Sequence, residues 1–239
     1  MAKKNKLSDQ LKDAFKDFST KLSSLDNEDD ILKLKYNYIT LITNLYKVAL
    51  HKAIDDRIKE MDSDLNEHFI IYKALGIHED EHILIDRYQN IGRFIFKYAG
   101  ALLEDIAKIA LGGQRVYIPN VISSSPKKFE IDCYTEDDNK AHEIKWRDAT
   151  TDGDHAKKEE NKVKGIVDKG YTPVRVMFFM PQREQAVKIQ KRITELYQKD
   201  GEAYIGDRAF EYVKNYSKID IKDILQKFID SQEDFLKFS

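Results

Sequence analysis

Asp132, Glu143 and Lys145 have the residue types and the spacing to hold a hard cation and place a water beside it. Two carboxylates suffice for Mg²⁺, which usually takes only one or two from a protein. A cation so held lowers the pKa of a bound water and neutralises charge on a phosphate. A lysine next to it can orient the attacking water or help deprotonate it. The neighbouring carboxylates favour its charged form, which leaves its role as a base open. The alternative is structural: an acid and an E-x-K triplet also make an ordinary charged outer face of a hairpin.

The elements that must bring these residues together are legible around them. Over residues 128–146, Phe129, Ile131 and Cys133 alternate with Glu130, Asp132 and Tyr134, the period of a strand. A polar, acidic turn follows at 135–139. In the second strand Glu143 and Lys145 share one face, while His142, Ile144 and Trp146 share the other. Ahead of this hairpin, Ile91, Phe94, Ile95, Tyr98, Leu102, Ile106 and Ile109 predict a helix over 89–111, ended by Gly112 and Gly113. Gly100 and Glu104, four apart, share a face, so that helix can approach the sheet with its carboxylate toward the hairpin. Asp105 competes for the same role, and for both acids a solvated outer face is the alternative.

Between helix and hairpin, QRVYI reads as a short strand and PNVISSSP as a loop. After Trp146 come a polar loop, RDATTDGDH, and a strongly charged helix over 154–168. PVRVMFFM has the composition of a buried central strand, and Pro181 suits the first turn of another helix. All four prolines lie between 119 and 181, which concentrates turns and strands there and leaves both ends helical.

Residues 1–88 read as successive helices. Leu7, Leu11, Ala14, Phe15, Phe18 and Leu22 repeat at helical spacing, Asn27 is a candidate cap, and 31–61 predicts one long helix or two abutting ones. A further helix over 65–75 ends at Gly76. His78 and His82, with acids between them, suit either a metal site or a solvated helix start; His51 and His68 carry the same pair of readings. After Gly201 and Gly206, helices are predicted over 207–215 and 222–238. The chain thus divides into a helical region (1–88), a sheet-bearing core (89–200) and a helical extension (201–239).

Composition narrows the function classes. The chain has 239 residues, 41% hydrophobic and 34% charged. No apolar run reaches the length of a membrane span, and the first residues lack an apolar signal core. A single cysteine excludes an internal disulfide and a cysteine-based zinc site, and fits a reducing cytoplasm. A net charge of −2 argues against indiscriminate coating of nucleic acid, yet allows a local basic cleft. Neither G-x-G-x-x-G nor G-x-x-x-x-G-K is present, so no dinucleotide or ATP cofactor is expected.

The order helix, strand, strand, strand, helix, strand, helix, with an acid on the second strand and E-x-K on the third, resembles the PD-(D/E)xK nuclease superfamily over roughly residues 90–200. The resemblance implies an α/β fold with a central mixed sheet flanked by helices. It implies Asp132 and Glu143 as ligands of Mg²⁺, Lys145 as the catalytic lysine, and Glu104 as the acid many members carry on the preceding helix. Ile131 stands where a proline often precedes the Asp. The stretches EIKWRDATTDGDHAKKE and GYTPVRVMFFMPQREQA look like the ApaLI-like family of type II restriction endonucleases. That family implies cleavage of double-stranded DNA at a short sequence.

For contact with DNA, Arg147, His155, Lys157, Lys158 and Lys162 supply cations for phosphates, and Asn161 an amide suited to adenine. Arg115, Lys127 and Lys128 flank the other side. A solvated helix face is the alternative for each lysine. Cutting both strands of a palindrome calls for two active sites and hence a homodimer. The N-terminal helices are candidates for its interface or for clamping the duplex, and equally for packing on the core alone. The competing functions are a repair or recombination nuclease with the same core, and a non-catalytic helical DNA-binding protein.

Overall fold

Apolar residues at three- and four-residue intervals fold the first part of the chain into α1 (Lys6–Leu22), α2 (Glu28–Ser63), α3 (Phe69–Ala74) and α4 (Glu79–Leu111). They are seen in a computed structural model that describes residues 6–63, 69–120, 126–147 and 153–232. With no Gly or Pro in its interior, α2 is one unbroken helix about 54 Å long. Asn27 caps it, its Oδ1 accepting the Asp30 N–H at 3.1 Å. The helix predicted over 89–111 starts earlier, at Glu79, and so runs straight through the expected division at 88. Glu81 accepts the His78 backbone N–H in its first turn at 3.1 Å. His82 is buried against the Tyr72 ring, with centroids 5.8 Å apart, while His78 and Glu81 at the same helix start are exposed.

The strands β1 (Gln114–Pro119), β2 (Lys128–Thr135), β3 (Lys140–Lys145), β4 (Thr172–Met177) and β5 (Glu202–Ile205) form one sheet in sequence order. The β1–β2 and β2–β3 pairs are antiparallel, joined by short connections. The β3–β4 and β4–β5 pairs are parallel and need crossovers, supplied by α5 (Gly153–Asp168) and α6 (Glu184–Asp200). This is the expected mixed sheet flanked by helices. β5 corrects the reading of 201–239 as wholly helical. Its four residues, EAYI, are too few to show a period of two, and it exists by pairing with β4. It is followed by α7 (Asp207–Ser217) and α8 (Ile221–Asp230).

The core lies on both faces of the sheet. Ile144, Val174, Val176 and Phe178 pack with buried residues of α1, α2, α4, α7 and α8, including Phe18, Ile42, Ile106 and Val213. On the opposite face Ile166 of α5 packs with Phe129 and Ile131, and Val163 with Ile193 and Tyr197 of α6. The N-terminal helices therefore share their core with the sheet.

The junction between α4 and β1 sets where α4 stops and β1 starts. Gly112 ends α4 in the left-handed region at φ 76°, a conformation that costs glycine little. The buried Lys35 ammonium of α2 donates to the Ala110 carbonyl at 2.8 Å, satisfying part of the helix end. At Gly113 a Cβ would lie 2.5 Å from the Tyr134 carbonyl oxygen and 2.6 Å from Cys133 Sγ, both rigid neighbours. Gly113→Ala should therefore push α4 and β1 apart and cost about 1–3 kcal/mol. Urea unfolding reads this, and an unchanged midpoint would show that the junction has slack.

Candidate active site

An irregularity in β2 places Asp132. Between Val116↔Ile131 and Gln114↔Tyr134, β2 carries one residue more than β1, a bulge. It breaks the strict alternation expected over 129–134. Phe129 and Ile131 pack toward α5, whereas Cys133 packs on the α4 face. Pairing between β2 and β3 runs from Thr135↔Lys140 to Cys133↔His142 and goes no further. Beyond that point the strands part. Asp132 Oδ2 accepts the Ile144 N–H at 2.8 Å and the Lys145 ammonium at 3.2 Å.

Charge around this gap is dense and mostly buried. Lys145 Nζ lies 2.5 Å from Glu143 Oε1, and Lys162 reaches across from α5 to the other oxygen of Glu143. Burial works against the charge of Glu143, but the Lys145 and Lys162 ammoniums outweigh it and hold the carboxyl at about 2. Burial likewise opposes the charge of Lys145, and Glu143 and Asp132 overcome it, so its pKa stands well above that of an ordinary lysine. Lys145 keeps its proton. Asp132 is shifted upward, first by burial and then by the charge of Glu143.

Glu104 enters from α4. Its Oε1 accepts from Arg115 at 2.8 Å, and burial followed by the charge of Asp132 pushes its carboxyl up to about 7. Asp105 turns away: it accepts from Tyr46 Oη and pairs with Lys108, both at 2.7 Å, within the packing of α2 on α4. Of the two competing acids, Glu104 faces the hairpin.

The carboxylates of Glu104, Glu130 and Asp132 offer oxygens that all lie within 4.8 Å of one another. Hard oxygens of this kind suit Mg²⁺, Mn²⁺ or Ca²⁺. Glu143, expected as the second ligand, is not in this trio, and lysines contact both of its oxygens. Glu130 is a member that the sequence reading did not single out, though its place two residues before Asp132 on one strand was the available signal. Arg115, expected at the DNA surface, bridges the site acids instead, with Nε 3.1 Å from Glu130.

The other residues expected at DNA are spread around the site. Lys127 and Lys128 are exposed where β2 begins, and Lys157 and Lys158 are exposed on α5. Asn161 is half-buried on α5, and Lys162 is turned inward to Glu143. Arg147 is exposed just past β3, its guanidinium 5.2 Å from the Phe96 ring centroid and 5.7 Å from that of Trp146. The His155 side chain lies outside the described residues. His142 takes no part in the site. Its Nδ1 faces the Cys133 carbonyl at 3.2 Å and its Nε2 the Tyr212 hydroxyl at 2.8 Å, and burial pulls its pKa down to about 4. Among the described residues no helix is long and apolar enough to cross a membrane.

Comparison with curated proteins and with solved structures returns no match. The family model described as ApaLI-like restriction endonuclease matches residues 7–230, nearly the whole chain. Acids and a charged lysine gathered at a parted hairpin are in keeping with that match, and the chain belongs to the ApaLI-like restriction endonuclease family.

Proposed function

We propose that the protein is a type II restriction endonuclease that hydrolyses both strands of DNA at a short palindromic sequence, with Mg²⁺ as cofactor. The observation that carries this reading is the meeting of Glu104, Glu130 and Asp132 beside the Lys145 ammonium. Asp132 and Glu104 are the residues that would hold the cation, with Glu130 at the rim. Glu143 is tied to them through Lys145, which touches both Asp132 and Glu143. Bound there, Mg²⁺ supplies an acidified water and neutralises charge on the phosphate. Lys145, kept charged by its two neighbours, orients the water and offsets phosphate charge rather than accepting a proton. Phage DNA incubated with the protein and Mg²⁺ should give discrete fragments whose sequenced ends share one motif. An uncut substrate with both Mg²⁺ and Mn²⁺ would reject the reading.

The exposed Lys157 and Lys158 on α5 suit phosphates on one side of the site. Each phosphate contact contributes about 0.9 to the slope of log K against log salt. Lys157→Gln with Lys158→Gln should flatten that slope by about 1.8. An unchanged slope removes α5 from the interface.

Two cuts in a two-fold site call for two copies of the chain. We assign the second copy to the side of α3 and α4 where Ile70, Ile71, Leu75, Ile83, Leu84 and Tyr88 are each large and exposed. Ile71→Glu with Leu84→Glu should convert a dimer into a monomer in sedimentation. A dimer that survives both charges places the interface elsewhere.

A further inference from the structure

The segment after β4, residues 178–183 (FFMPQR), has no part in the acid–lysine site, yet it is fixed directly beside it. Lys145 is level with Met177 in the parallel β3–β4 register. Past the end of that ladder the Phe178 N–H donates to the Lys145 carbonyl and the Phe179 N–H to the Trp146 carbonyl, each at 2.9 Å. The first two residues of the segment are thus pinned to the end of β3 as the chain bends out of the sheet. Pro181 is buried and holds its own φ near −65°. Arg183 stands at the N-cap of α6. Both ends are therefore anchored in regular structure.

What the segment presents is suited to bases. With Trp146 and Arg147, residues Phe179 to Arg183 line a groove of about 510 Å³ that is open to solvent. Phe179 is 49% exposed, with its ring edge-on to that of Phe210, centroids 5.9 Å apart. Gln182 and Arg183 are exposed beside it. A glutamine amide matches the N6 and N7 edge of adenine, and an arginine fork matches O6 and N7 of guanine. Both side chains also suit phosphates, and the salt dependence of binding separates the two roles.

We propose that residues 178–183 determine the sequence this enzyme cuts, with Gln182 and Arg183 touching base edges and Phe179 supporting them. This rests on the nuclease reading above. The direct test is to digest phage DNA with wild type, Gln182→Ala and Arg183→Ala at several salt concentrations, and to sequence the fragment ends. Each alanine variant should cut the wild-type motif about 5- to 150-fold more slowly, the effect of one lost bidentate base contact. Each should also admit ends that differ from that motif at one position. The salt slope should stay at the wild-type value, because no phosphate contact is lost. Variant ends identical to those of wild type overturn the proposal, and a slope reduced by about 0.9 assigns the side chain to a phosphate instead. If wild type itself yields no discrete fragments, the nuclease reading falls, and this proposal with it.

Discussion

Asp132→Asn should slow DNA cleavage on the order of 10³-fold or more while the protein stays folded. That loss corresponds to about 4 kcal/mol, the several kcal/mol expected when a cation's charge is withdrawn from a phosphoryl transition state. The substitution is chosen for what it keeps. An asparagine oxygen still accepts the Ile144 N–H, as Asp132 Oδ2 does at 2.8 Å, so β3 is not left with an orphaned amide. What disappears is a negative charge crowded by Glu104, Glu130 and Glu143. Burial and that crowding disfavour ionised Asp132, so the neutral side chain should unfold at a temperature no lower than wild type. Lys145→Ala should lose activity comparably, but it leaves Glu143 with Lys162 as its remaining ammonium partner. Calorimetric titration with Mn²⁺ gives a second readout, in which Asp132→Asn should show weakened binding in the absence of DNA. A variant that cuts at the wild-type rate, or binds Mn²⁺ as tightly, removes Asp132 from the site.

The parts of this site that could be read from sequence are those fixed by local periodicity. Glu143 and Lys145 sit two apart on a six-residue strand, so any regular pairing puts them on one face. Gly100 and Glu104 sit one helical turn apart, and a Cβ at Gly100 would meet Trp146 at 4.0 Å, an ordinary contact, so α4 packs by the hairpin without needing the glycine. Strand periodicity alone does not place Asp132. Its position depends on a bulge, and one extra residue in β2 leaves no mark on composition. The partners supplied from far along the chain were out of reach. Lys162 looked like one more cation on a charged helix, and only the crossover from β3 through α5 to β4 turns it onto Glu143. Arg115 looked like a surface cation ahead of the hairpin, until β1 paired with β2 and carried it between Glu104 and Glu130. In both cases residue type was informative and direction was not, because direction comes from tertiary pairing. β5 is the same failure at the level of an element, since four residues acquire a structure only from the neighbour they pair with.

Arg175→Ala should destabilise the protein by about 3–5 kcal/mol, the cost of stripping one partner from a buried charge pair. Within the apolar run PVRVMFFM this arginine looks out of place, and it is 1% exposed. Its guanidinium donates to Gln190 Oε1 at 2.7 Å and to Glu159 Oε2 at 3.4 Å, and lies 5.6 Å from the Tyr197 ring centroid. Tyr197 Oη donates to the same Glu159 oxygen at 3.0 Å. One side chain on β4 therefore ties α5 to α6. Without it, the Tyr197 hydroxyl is the hydrogen-bond donor left to the buried Glu159 among the described residues. For a chain of this size the thermal midpoint should fall by roughly 6–20 °C. Arg175→Met with Glu159→Gln should recover most of that loss, because removing both charges leaves none uncompensated. Activity should follow the same course. Glu159 and Lys162 lie one turn apart on α5, so the network that seats this helix also aims Lys162 at Glu143. A double variant that regains its melting temperature but not its cleavage rate would show that Lys162 is aimed by the ion pair itself rather than by the packing of α5. A single variant that melts within about 2 °C of wild type would mean that water reaches Glu159, and that this face of the sheet is more open than its burial implies.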